Sequence, residues 1–174
     1  MLLNFAWFTV NGGDRCGYVL KPQFMYDLHQ TFDPIGPCMD APVMLLEVEV
    51  ISAQQIPKPK NSKKGEVIDP FVELQLHGIE KDDTKVQATQ AVDNNGYNPI
   101  WKQTFRFEIR MPELAVLTMQ VFDKDMMKKT LICQYAIHVT NIRYGVRVVP
   151  MLDTSLEGLP HTCLLCRFHL APFE

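Results

Sequence analysis

The sequence predicts an all-β fold, an eight-stranded antiparallel sandwich, and three observations carry that prediction. Short apolar runs recur from Val43 to Leu170, each bounded by proline, glycine, asparagine or aspartate. No segment has strong helical periodicity. One run, Trp101–Ile109, alternates cleanly. Trp101, Gln103, Phe105, Phe107 and Ile109 share one parity, and Lys102, Thr104, Arg106 and Glu108 share the other, which describes a strand with one wet face.

The chain has 174 residues, about one domain's worth, and 47% of them are hydrophobic, enough to build a core. A net charge of -3 gives no bulk attraction to nucleic acid, so no nucleic-acid partner is expected and any basic patch must be local. Five cysteines, Cys16, Cys38, Cys133, Cys163 and Cys166, form an odd and scattered set. Cys163 and Cys166 make a lone C-x-x-C, but in a strand that spacing points them to opposite faces, and no second pair completes a zinc site. All five read as reduced thiols of a cytosolic protein, most of them packing groups.

Taken in order, Met1–Val10 is apolar apart from Asn4 and Thr9, lacks a basic start and is too short to span a bilayer. It reads as a core strand, or half of one, rather than a signal peptide. After the turn Asn11-Gly12-Gly13-Asp14 comes a second apolar run, Cys16–Leu20, stopped by Lys21-Pro22; Pro22 can open a short helix over Gln23–Gln30. Residues 1–30 are too few to bury their own apolar surface. Residues 31–42 carry three prolines and a glycine, which excludes a helix or a central strand and marks a semi-rigid linker. Beyond it, strands are expected near 43–50, 70–77, 86–91, 101–109, 115–122, 132–139, 146–151 and 163–170.

In an antiparallel sandwich successive connections alternate between the two ends. The first (Ser52–Asp69), third (Val92–Ile100), fifth (Asp123–Leu131) and seventh (Leu152–Thr162) therefore share one end. Asp69, Asp93, Asn94, Asp123 and Asp125 gather there although they lie far apart in sequence. Aspartates and asparagines cap turns everywhere, which is one reading. The other is a hard-cation site, because calcium takes about 6–8 oxygen ligands from separate loops. The same end carries Lys58, Lys60, Lys63 and Lys64 on the first connection, and Met126, Met127, Lys128 and Lys129 on the fifth. Lysines beside two methionines suit a surface that meets anionic phospholipid headgroups; solvated loop lysines are the plainer reading.

Several stretches taken together narrow this further. Ile51–Ser62, Val67-Ile68-Asp69-Pro70-Phe71-Val72, His77-Gly78, Asp93–Trp101, Pro112-Glu113-Leu114-Ala115 and Tyr144-Gly145-Val146-Arg147 resemble, in order, the C2 domain of eukaryotic phosphoinositide-specific phospholipase C. The match spans essentially all of residues 43–170. Asn11–Pro22 resembles the end of the same enzymes' Y region, which closes their catalytic (β/α) barrel. The resemblance implies a C2-type sandwich over 43–174, a linker over 31–42 and a barrel remnant over 1–30. It also implies calcium as the cofactor, held by Asp69, Asn94, Asp123 and Asp125, with Ile68 offering a backbone carbonyl. The implied partners are anionic membrane phospholipid and the remainder of the parent enzyme, at a cytoplasmic, peripherally membrane-associated location.

Two departures matter. The family usually carries further Ser, Asn and Asp in the fifth connection, where this chain has Met126–Thr130, so calcium should bind weakly or need lipid phosphate to complete its shell. Asp14-Arg15 is inserted before Cys16, and little chain separates Leu3-Asn4-Phe5 from Asn11, so the barrel segment looks shortened. The family cleaves phosphatidylinositol bisphosphate with two histidines and a calcium ion in the barrel's first half. His29, His77, His138, His161 and His169 match none of that machinery, and His77 is the strand-end histidine of the C2 pattern. The expectation is a calcium-assisted lipid-docking module that is catalytically inactive on its own. The competing readings are a chain that hydrolyses phosphoinositide itself and a calcium-independent interaction domain.

Overall fold

The computed structural model describes residues 1–10, 18–27, 32–33, 42–59, 65–80, 82, 86–125 and 128–172. Eight strands carry the fold: β1 Met44–Gln54, β2 Pro70–His77, β3 Gln87–Ala88, β4 Ile100–Ile109, β5 Val116–Lys124, β6 Lys129–His138, β7 Gly145–Leu152 and β8 Gly158–Pro172. Every pairing is antiparallel, in the order β3-β2-β5-β6-β7-β8-β1-β4. The β6–β7 pairing is the single register Gln134–Leu152, so the strands divide into two four-stranded layers that touch along one seam. The expected eight-stranded antiparallel sandwich is the observed one.

The core lies between the layers. Leu46, Val48 and Val50 of β1, Val72, Leu74 and Leu76 of β2, and Leu117, Met119 and Val121 of β5 are buried, each set spaced by two as a strand requires. β4 follows its predicted parity: Trp101, Phe107 and Ile109 are buried, and Lys102, Thr104, Arg106 and Glu108 are exposed. Cys133 and Cys166 are buried, and burial pushes both thiols up to about 12; Cys163 sits half-buried on the other face of β8, and all three are free. Cys16 and Cys38 lie outside the described residues.

The first ten residues differ from expectation. Leu2–Phe5 forms a helix, α1, which continues as a π-helical turn over Ala6–Val10 instead of a strand. The reason is the surface it meets. Ala6 packs on Val116 of β5 and Ala136 of β6, with Leu2, Leu3 and Trp7 around them. Small residues on both sides let the helix approach the sheet closely. A 3-10 turn occupies Gln23–Met25, directly after Pro22. It is shorter than the expected helix, whose last residues lie outside the described set. Tyr18 and Leu20 are exposed rather than packed. Most of the 31–42 linker is also outside the described residues.

Candidate functional site

The odd-numbered connections do share one end. Ser52 at the close of β1 pairs with Ile100 at the start of β4, Gln54 with Cys163 of β8, Pro70 with Asp123 of β5, and Leu152 with Gly158. Three register shifts cluster near this end, at Val50/Ser52, Val121/Phe122 and Pro150/Leu152. Bulges twist and splay strand ends, so the ladders loosen into a rim.

Connection one is stitched to connection three by backbone. The Gln55 and Ile56 N–H groups donate to the Tyr97 (2.7 Å) and Gly96 (2.9 Å) carbonyls, and Ala53 N–H donates to Pro99 (3.0 Å). Ile68 is buried against Gly96, where an added Cβ would stand 2.6 Å from Ile68 Cγ1; only glycine fits. Asn94 takes a left-handed φ of 51°, which a short amide side chain tolerates.

These contacts bring the acidic residues together. The Asn94 N–H donates to Asp69 Oδ1 (2.6 Å), and the Asp69 N–H donates to Asp123 Oδ1 (2.9 Å). Lys124 N–H closes the ring onto the Asp69 carbonyl (3.1 Å), and Asp125 N–H bonds Lys128 O (3.0 Å) across a tight fifth connection. Connection five is therefore shorter than the expected Asp123–Leu131, because the bulge extends β5 and β6 outward. Asp123 is a strand residue, 7% exposed, rather than a loop residue. Burial pushes its carboxyl above the ordinary value of 3.8. The Asp69 backbone N–H opposes this, and the charges of Asp125, Asp69 and Glu66 push it further up. Glu66 belongs to this acidic field and was not among the expected residues; three positions before Asp69 in the same connection, it could have been included.

The donor types suit a hard cation, with carboxylate oxygens on two connections and a backbone-tied asparagine on a third. One oxygen each of Asp69 and Asp123 already accepts an amide, leaving the other carboxyl oxygen of each for a ligand. Among the described residues, no group of three or more His, Cys, Asp or Glu side chains is arranged to hold a metal ion. The set is thus of the right chemistry and incompletely gathered.

The basic residues divide. Lys58 is exposed on connection one; Lys60, Lys63, Lys64, Met126 and Met127 lie outside the described residues. Lys128 is exposed beside the groove floored by Phe71, Ala88 and Thr89. Lys129 is committed elsewhere. Its Nζ lies 2.7 Å from both oxygens of Glu73 and 4.6 Å over the Phe122 ring. Among the described residues, no helix is long and apolar enough to cross a membrane.

Residues 44–151 match the C2 domain family, and the chain belongs to that family. Its resemblance to phosphoinositide-specific phospholipase C is borne out as well. It is 40% identical to the 1-phosphatidylinositol 4,5-bisphosphate phosphodiesterase of Dictyostelium discoideum over 97% of this chain and 21% of that protein. The crystal structure of PLC21 from S. officinalis superposes with a TM-score of 0.78 at 26% identity, over 91% of this chain and 20% of that one. A C2 domain of plant Extended Synaptotagmin 1 shares the fold, with a TM-score of 0.63 at 21% identity over 76% of this chain and 98% of that domain. The chain spans about a fifth of the length of the curated relatives it matches.

Proposed function

We propose that this chain is the phospholipid-docking C2 module of a phosphoinositide-specific phospholipase C, assisted by calcium at the acidic rim. The observation that carries this reading is the rim itself: Asp69, Asn94 and Asp123 linked by backbone hydrogen bonds, with the charges of Asp125 and Glu66 bearing on Asp123. Asp69, Asn94, Asp123 and Asp125 would hold the ion, with the Ile68 carbonyl as a further donor. Bound calcium supplies positive charge that neutralises the carboxylates and attracts lipid phosphate. Lys58, Lys60, Lys63, Lys64 and Lys128 add attraction to anionic headgroups, each about 1 kcal/mol at low salt, and Met126 and Met127 provide apolar tips. Residues 43–174 form this module, 31–42 its linker and 1–30 the end of the enzyme's barrel. The module holds the parent enzyme peripherally at a cytoplasmic membrane face, where that enzyme would cleave phosphatidylinositol 4,5-bisphosphate to diacylglycerol and inositol trisphosphate. The chain alone has no such activity.

The test is calcium-dependent melting and co-sedimentation with phosphatidylserine-containing vesicles, each across a salt series. At a hundredfold excess over Kd, calcium should stabilise the fold by about 2.7 kcal/mol, and vesicle binding should fall as salt rises. Calcium-dependent inositol phosphate release by the purified chain would refute its inactivity. One observation favours a second reading, a calcium-independent domain that packs on the parent enzyme. The described rim lacks a three-carboxylate clasp, and two carboxylate oxygens are already spent on amides. No thermal shift with calcium, with or without short-chain anionic lipid, would favour that reading.

A further inference from the structure

At the end of the sandwich away from the rim, the outer face of β2, β5 and β6 presents a row His77–Val116–His138 and, above it, Gln75–Thr118–Ala136. Residues 2–10 lie across these rows, with Ala6 fully buried against Val116 and Ala136. Trp7 meets His138 edge to face, with ring centroids 4.6 Å apart and planes at 74°. His138 is 5% exposed. Its Nδ1 lies 2.7 Å from Thr140 Oγ1, and its Nε2 is buried with no hydrogen-bond partner. The segment's other side remains bare, with Met1 91% and Phe8 44% exposed.

We propose that residues 2–10 are a latch on this sheet face and that protonation of His138 releases it. A neutral imidazole can leave one ring nitrogen unpaired beneath a tryptophan at modest cost. An imidazolium has two N–H donors, and Thr140 can serve only the one at Nδ1. The other would be a charged donor in a buried site, where the backbone of Glu113 favours it without making up for the lost water, and such a group is costly. Lifting the segment readmits water to it.

The charged neighbours do not supply a substitute. Residues 2–10 contain no ionisable side chain, and the Met1 end is in solvent. On β2, His77 engages Thr118 Oγ1 (3.3 Å). Glu113, on the β4–β5 connection, favours the charged ring through its backbone and carboxylate, but burial outweighs it and holds His138 below its ordinary value of 6.5. The sign follows. Docking is at full strength above the freed group's value and weakens as pH falls from there through the lowered docked value. Within that window each pH unit costs up to about tenfold in the docking equilibrium.

The full chain is tested by hydrogen exchange of residues 2–10 at pH 7.5 and 5.5, corrected for intrinsic rates. The expected result is a loss of protection of up to about tenfold at pH 5.5 in the native chain and none in His138→Phe, which keeps an apolar ring beside Trp7. Unchanged or increased protection at pH 5.5, or an equal loss in His138→Phe, overturns the latch. An independent readout covers failure of that variant to fold: nuclear magnetic resonance titration of His138 in the native chain and in Ala6→Glu, which cannot seat the segment. The His138 pKa must be higher in Ala6→Glu; an equal or lower value also overturns the proposal.

Discussion

The two ends of the sandwich are built on opposite terms. At the lower end, Asp82 is fully buried and accepts the N–H groups of Arg110 and Met111 (2.8 Å each), with the Arg110 guanidinium 3.5 Å away. Val139 N–H bonds Ala115 O (2.9 Å), and the N-terminal helix covers Val116 and Ala136. At the rim, Asp123 is buried as well, but its neighbours are Asp125, Asp69 and Glu66, all of its own sign. One buried carboxylate is satisfied by donors and a cation; the other is tied to one amide and crowded by anions. The first end invests in stability, and the second leaves an electrostatic deficit that a bound cation would remove.

The largest test of this contrast is at Asp82. Asp82→Ala strands two backbone N–H groups and removes one partner of the Arg110 guanidinium, and should cost about 3 kcal/mol in chemical denaturation while leaving any calcium shift intact. If that cost is below about 1 kcal/mol, the lower end is not the anchor proposed here.

Next comes the N-terminal segment. Residues 43–174 contain all eight strands, so a chain lacking 1–42 should fold. It would bare Val116 and Ala136 and lose the packing of Leu2, Leu3 and Trp7, at roughly 2 kcal/mol. Limited proteolysis of the whole chain should cut between Thr31 and Pro42. Failure of the truncated chain to fold would make the segment part of the core.

How much of this could be read from sequence varies with how locally each feature is determined. β2 runs over the expected 70–77 because Asp69-Pro70 fixes its start and His77-Gly78 its end. β8 exceeds the expected 163–170 because its first residues pair with the end of β7 and its last with the start of β1, information that no local window contains. Met1–Val10 is apolar at every position but Asn4 and Thr9, so periodicity could not separate helix from strand. Its partner did leave a signal: Val116, Leu117, Met119, Val121 and Phe122 put apolar residues at both parities of β5, as a strand covered on both faces should. The convergence of Asp69, Asn94 and Asp123 followed from counting connections, which needs only antiparallel topology. The shortness of connection five did not follow, because a bulge is set by tertiary twist.

At the rim, Asp123→Asn keeps the acceptor for the Asp69 N–H and removes the charge. Because the Asp123 carboxyl is raised in the fold, the native state holds its proton more tightly than the unfolded chain does. The contribution of Asp123 to calcium-free stability should therefore be greatest below the ordinary value of 3.8 and decline as pH rises through the raised value. At pH 7 the substitution should stabilise the calcium-free fold and flatten that decline. It should also shrink the calcium-dependent rise in Tm and weaken vesicle binding. A less stable calcium-free Asp123→Asn chain would mean that the carboxylate is already satisfied, as at Asp82.

The smallest effect separates two adjacent lysines. Lys128 and Lys129 look equivalent in sequence, and a count of charges would credit both equally. Lys129 is held by both oxygens of Glu73, which is mostly buried, and lies over Phe122, so its ammonium is not available to a headgroup unless that pair breaks. Single substitutions cannot test this, since removing either lysine shifts the net charge by the same amount. Replacing the pair together, Lys129→Met with Glu73→Gln, leaves the net charge unchanged. It should leave vesicle affinity unchanged and cost at most about 1 kcal/mol of stability, as exposed ion pairs do. Lys128→Met should weaken vesicle binding by about fivefold at low salt, the equivalent of about 1 kcal/mol, and the loss should shrink as salt is added. Equal losses from the pair replacement and from Lys128→Met would show that the Glu73 contact opens at the membrane and that Lys129 docks too.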